Sequence, residues 1–481
     1  MKFLFSLFTI FILLKKSKFS KITIPFKVQK YSINKNSKSS KIINDYIYKD
    51  IIVNLTIGNP SQKIQLSPCL GEYTTFIISK DSEGFEGGTY NKSLSKTYRA
   101  LENNDQPEYY TFQTFSEGIK SKENFLLEKG ETKINDLEFI LATEIGGNNC
   151  YNPYCEKLTQ PGILGFEISQ LPNQIYENVS NTNFISQLKQ KDLISDYYFN
   201  FHFKDENNGD IVIGLKPDEY ESDNYKKENF VFIKTTISSF DYLDWSVAFD
   251  NVYYGKNELA NEKPLLLRIE YGLINGYYEW EKTLKNEFFD ELITEKKCFK
   301  NSTNELGSTA YYYYCNKSTD ISKFKPFILS INEYNYNFTL SKDDLFKEVG
   351  DIYLFLMIFG GMPDIILGYP FLKKYQLIFN QDTKTIGFYK HIYKKYDKND
   401  DKKDDKNDDK NDDKNDKISF SYIVYYTIII ILLIILLILI IIGITLYLKR
   451  NKEKRNATEL SNEEYEYNEK DKNNLLINEN D

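Results

Sequence analysis

From Tyr426 to Leu448 the chain is almost unbroken Ile, Leu, Tyr and Thr, with Gly443 the one small residue. About twenty apolar residues at 1.5 Å each cover a hydrocarbon core of about 30 Å. A helix apolar on every face does not belong in a soluble fold. With its flank from Ile418, the segment 418–448 predicts a single transmembrane helix. Lys449, Arg450, Lys452, Lys454 and Arg455 follow at once, so the tail 449–481 is expected in the cytosol. Met1 to Leu14 holds one lysine and then an apolar run of about a dozen residues, the length of a signal-peptide core. Residues 1–20 therefore read as a signal peptide. The two segments together predict single-pass type I topology, with a lumenal or extracellular domain between them. Asp471, Leu475 and Leu476 match the acidic-dileucine pattern that sorts membrane proteins. The expected location is the plasma membrane or an endosome- or lysosome-like vacuole.

Between the span and the rest of the chain, 396–417 is a near-repeat of Lys-Asn-Asp-Asp with nothing apolar to bury after Tyr396. It reads as a charged, flexible linker. Upstream, the composition suits a large core: hydrophobic residues are 41% of the chain, with 39 Tyr and 34 Phe, which excludes wholesale disorder. Lys plus Arg is 61 against 69 Asp plus Glu, a net charge of −8. That balance argues against a nucleic-acid partner, whose phosphates need a basic face. Only 2 His occur, so neither a multi-histidine metal site nor a cofactor is expected. On the proposed lumenal side, Asn54, Asn91, Asn178, Asn301, Asn316 and Asn337 each open an Asn-x-Ser/Thr glycosylation triplet.

Residues 45–390 alternate short apolar runs with turn residues. Ile51-Ile52-Val53-Asn54-Leu55-Thr56-Ile57 stops at Gly58-Asn59-Pro60, and Tyr197 to Phe203 stops at Asn207-Asn208-Gly209. These are strand and hairpin signals. The clearest helical stretch is Phe184 to Leu193. The pattern predicts an all-β fold, and its length divides naturally into two lobes, 45–215 and 216–395. Residues 21–44 read as a pro-segment or N-terminal extension.

The motifs and their order resemble the pepsin-like aspartic peptidases. Gly58-Asn59-Pro60-Ser61-Gln62 is followed by a strand that ends in Cys69-Leu70-Gly71-Glu72, where that family has Asp-Thr-Gly-Ser. Ser93 to Tyr98, Gly162-Ile163-Leu164-Gly165-Phe166 and the helix at Phe184 come next in the family's order. Tyr109 or Tyr110 stands where the family carries a flap tyrosine, with Tyr110 preferred. In the second half, Leu267-Arg268-Ile269 leads to Glu270-Tyr271-Gly272-Leu273 at the place of the second Asp-Thr-Gly. Asp364 to Tyr375, Phe379-Asn380 and Ile386-Gly387-Phe388 reproduce the family's ending. The resemblance implies a bilobed pepsin-like acid-protease fold, followed by the spacer and the single transmembrane helix. It also implies a disulfide between Cys298 and Cys315. Cys150 and Cys155 are near enough in sequence to close a small loop, which leaves Cys69 over.

The departures bear on the chemistry. The family's two aspartates share a proton and hold a water, because two close carboxylates cannot both ionise. Their loop backbone holds each in place. Cys69 brings a thiol, with a reference pKa of about 8.5. Glu270 moves the carboxylate by one methylene, roughly 1.5 Å, and a shift of about 1 Å can cost a hundredfold in rate. Gly71 and Gly272 remain; Glu72 and Leu273 replace the hydroxyl residues after them. The expectation is a pseudopeptidase: a monomer that binds an extended peptide or a protein partner in its cleft without cutting it. An active anchored endopeptidase using Glu270 with Glu72, and a structural surface protein, are the alternatives.

Overall fold

The computed structural model describes residues 21–29, 39–47, 51–83, 87–101, 108–109, 115–127, 132–145, 161–168, 183–222, 224–237, 243–259, 264–304, 308–362 and 364–389. Among them no helix is long and apolar enough to cross a membrane. The expected signal peptide, linker, transmembrane segment and tail lie outside the described residues, as do Tyr110, Cys150, Cys155, Asn178, Asp471, Leu475 and Leu476.

The chain opens with strand β1 (Ile22–Val28) and helix α1 (Ser39–Ile47). Strands β2 (Ile51–Ile57), β3 (Gln62–Cys69) and β4 (Phe76–Glu83) follow. The long hairpin β5 (Phe115–Leu127) and β6 (Lys133–Ile145) comes next, then β7 (Gly162–Gly165) and helix α2 (Phe184–Gln190). In β2 the alternation is strict: Ile51, Val53, Leu55 and Ile57 are buried, while Ile52, Asn54 and Thr56 are half-buried. A period of two turns one side of a strand into the core. Gly58 ends it at φ +83°, a conformation glycine tolerates best. Helix α2 starts where Asn183 Oδ1 accepts the Ser186 amide at 3.0 Å, an ordinary N-cap.

Strands β8 (Tyr198–Phe203) and β9 (Asn208–Ile213) form a hairpin whose turn is held by Asp205, which accepts the Asn207 and Asn208 amides. The second half holds β10 (Phe230–Lys234), β11 (Leu265–Leu267), β12 (Ile274–Gly276), β13 (Cys298–Thr303) and β14 (Ala310–Asn316). It ends with β15 (Phe327–Ile331), β16 (Tyr336–Leu340), β17 (Ile352–Gly360), β18 (Ile365–Leu367), helix α3 (Tyr369–Tyr375), β19 (Ile378–Asn380) and β20 (Thr385–Tyr389).

One sheet runs β10-β20-β19-β8-β9-β1-β2-β3-β7-β4-β6-β5 and joins strands from both halves. An eight-stranded sheet carries β11-β18-β12-β17-β14-β13, and a four-stranded sheet ends in β15-β16. Phe199 stacks on Phe379 at 5.0 Å, with Trp245 edge-on to both, so aromatic packing ties the halves together. Cys298 and Cys315 face each other across β13 and β14 and are disulfide-bonded. β1 pairs with β9 over Ile22 to Lys27 and with β2 over Phe26 to Val28.

Candidate functional site

Each half builds its central loop the same way. In the first, β7 lies between β3, to which it is parallel, and β4, to which it is antiparallel. In the second, β18 lies between β11, parallel, and β12, antiparallel. Ile163 faces Ser67 and Phe76, nine residues apart; Ile366 faces Leu266 and Asn275, also nine apart. The glycine two residues on passes behind the loop in both cases. A Cβ on Gly165 would sit 2.5 Å from the Tyr73 carbonyl oxygen. A Cβ on Gly368 would sit 2.1 Å from that of Leu273 and 2.2 Å from that of Tyr271. No side chain fits at either approach, which is why glycine stands at both.

The same count fixes which residues correspond. Two residues beyond Ser67 is Cys69; two beyond Leu266 is Arg268. Strand register therefore makes Arg268 the counterpart of Cys69, and Glu270 the counterpart of Gly71. Motif spacing, which matches Gly272 to Gly71 by residue type, is two residues away from this register. Residue type could not reveal the offset, because the second loop has lost the Thr and hydroxyl residues that would anchor an alignment.

Glu270 nevertheless reaches the first loop. Its Oε2 accepts the Leu70 amide and its Oε1 the Gly71 amide, each at 3.0 Å. The charge of Glu270 also acts on the Cys69 thiol, so the sulfur and this carboxylate lie close together at the junction. Burial first, then the charges of Glu270 and Glu72, push the Cys69 thiol well above its ordinary pKa, against an opposing effect of Arg268. Burial and the two glutamates thus favour the neutral thiol, and among the described residues no imidazole acts on it.

Arg268 is itself occupied. Its Nη1 donates to Asp244 Oδ1 at 2.8 Å, its Nη2 bonds Asp244 Oδ2, and its Nε lies 3.6 Å from Glu270. Burial works against the guanidinium charge, but Asp244, Glu270 and Glu167 outweigh it and hold the pKa above the usual value. Asp244 is fully buried and also accepts the Trp245 amide at 2.6 Å. Around this one cation stand more carboxylates than it can neutralise. Burial, then the charge of Asp244, raises Glu167 well above its ordinary pKa. Burial, reinforced by Glu270 and opposed by the Thr74 amide, raises Glu72 to about 7. Asp244 and Glu167 carry no sequence signal of this role.

The second loop's own amide is taken from outside. Gly272 N–H donates to the Ile47 carbonyl at 3.0 Å, at the C-terminus of α1. Ile42, Ile43 and Ile47 are buried in one cluster with Leu266, Tyr271 and Leu273. The donors that could hold a reactive carboxylate thus already have partners: Glu270 for Leu70 and Gly71, Ile47 for Gly272. No group of three or more metal-ligating side chains occurs among the described residues. Of the glycosylation triplets, Asn301 and Asn337 are exposed, and Asn54, Asn91 and Asn316 are half-buried.

A family model described as eukaryotic aspartyl protease matches residues 51–391. No curated protein matches the chain.

Proposed function

The chain belongs to the eukaryotic aspartyl protease family, and from that premise we propose that it is a pseudopeptidase, a membrane-anchored binding protein that does not cut its ligand. The observation that carries this reading is the pair at the loop positions, a protonated Cys69 and a guanidinium, Arg268, already engaged by Asp244. Peptide hydrolysis by this family needs one carboxylate as base and its partner as acid around a shared proton. A thiol raised by burial cannot accept the proton from water, and an arginine cannot donate one at any working pH. Glu270, the carboxylate that reaches the first loop, is spread across the Leu70 and Gly71 amides.

The ligand proposed is an extended peptide or protein segment, which a sheet-built cleft recognises through backbone pairing and side-chain pockets. The apolar 418–448 segment and the basic residues after it support type I anchoring, with the family domain on the lumenal or extracellular side. The test is an acid-pH assay of the full chain on denatured protein, with and without pepstatin. The expected result is no pepstatin-sensitive cleavage. Cleavage abolished by Glu72→Gln or Glu270→Gln would instead establish the alternative in which those two glutamates form the acid pair.

A further inference from the structure

Strand β16 closes the four-stranded sheet and pairs only with β15 among the described strands. An unpaired edge invites a second chain to add a strand, and proteins block such edges with charge, proline or a cover. End strands of the other two sheets carry charge: Lys234 lies in β10 and Lys300 in β13. The sequence of β16, Tyr336-Asn337-Phe338-Thr339-Leu340, has none.

Among the described residues, one rung of this edge is open. In an antiparallel ladder, alternate residues turn their N–H and C=O groups toward the partner strand and away from it. The Tyr375 hydroxyl donates to the Thr339 carbonyl at 2.8 Å and accepts the Thr339 amide, so Thr339 faces away from β15. Asn337, two residues earlier, shares that outward direction. Its side chain is exposed and its Oδ1 accepts the Ser330 hydroxyl at 2.8 Å, which turns Nδ2 away from the sheet. Asn337-Phe338-Thr339 is also a glycosylation triplet. Among the described residues, the outward rung without a side-chain cover is therefore the one that can accept a glycan.

We propose that Asn337 carries an N-linked glycan and that this glycan guards the edge of β16 against pairing with a second copy of the chain. The inference rests on the type I topology proposed above, since transfer needs a lumenal domain. The donor is a lipid-diphosphate oligosaccharide. The bond from its anomeric carbon to the phosphate oxygen breaks, that carbon bonds to Nδ2, and the amide gives up one proton as the lipid diphosphate leaves.

The experiment expresses the full chain in a eukaryotic secretory host and maps glycosylated peptides by mass before and after enzymatic deglycosylation. Light scattering in one detergent then follows association against concentration. Asn337 should be occupied. The Asn337→Gln variant should lose that glycan and at least double its apparent mass at high concentration, while Asn337→Lys, also unglycosylated but charged, should remain as the parent. An unmodified Asn337 beside occupied sequons elsewhere overturns the proposal alone, as does an Asn337→Gln variant that associates no more than the parent. Occupancy at no sequon overturns it together with the topology.

Discussion

The two central loops, 69–73 and 268–272, share one backbone plan and differ in almost every side chain. Each is crossed from behind by a glycine, Gly165 or Gly368, on a strand held between a parallel and an antiparallel neighbour. Yet the first presents a neutral thiol, and the second a guanidinium locked to a buried aspartate. The difference teaches that geometry and chemistry are separately enforced. A backbone approach near 2 Å from a carbonyl admits only glycine, whereas the residue that points into the junction needs no more than a local partner for its charge. Loop one lends its amides to Glu270 of loop two, and loop two takes a carbonyl from α1.

The comparison breaks first at the glycines. Gly368→Ala should cost more than about 3 kcal/mol, since the clash is with backbone that cannot rotate away. Gly165→Ala should follow with a somewhat smaller loss, because its nearest carbonyl is 2.5 Å away rather than 2.1 Å. Thermal or denaturant unfolding of the full chain checks both. Tolerance of either would mean that the shared plan is not enforced there.

Next comes the charge. Arg268→Met leaves Asp244 buried without its partner and should destabilise by about 3–5 kcal/mol. Cys69→Ala removes a small neutral group and should cost about 1–2 kcal/mol. Equal losses would show that the two positions are energetically alike after all.

The pH dependence sharpens the comparison further. Glu72 has a folded pKa of about 7 against an ordinary 4.5, so the folded state binds the extra proton between those values. The Glu72 contribution to stability should therefore be fully present below about pH 4.5 and be lost as pH rises to about 7, by on the order of 3 kcal/mol. Glu167, raised in the same direction, adds to the same slope. Glu72→Gln should flatten that slope, and stability that rises with pH across the window would contradict the assignment.

Much of this was legible in the residues themselves. Period-two runs closed by Gly, Asn and Pro specify strands locally, and several motifs in order specify the family fold. The loss of the first acid could be read at Cys69, because Gly71 and the strand before it anchor the alignment. The Cys298–Cys315 disulfide also emerged from the order of motifs, and the structure forms it. The second loop was different. Glu270 met Cys69 as expected, but Arg268 took the matching position, and Asp244 and Glu167 came from segments with no motif at all.

By itself the sequence determined the strand pattern, the family and the absence of an acid at position 69, since each depends on neighbours a few residues away. Tertiary structure alone decided which of Arg268 and Glu270 is the counterpart of Cys69, what neutralises the arginine, and that Ile47 fills the partner place at Gly272. Those outcomes depend on pairing between strands a hundred residues apart and on burial, which sets the cost of every unpartnered charge, and neither is written in local spacing.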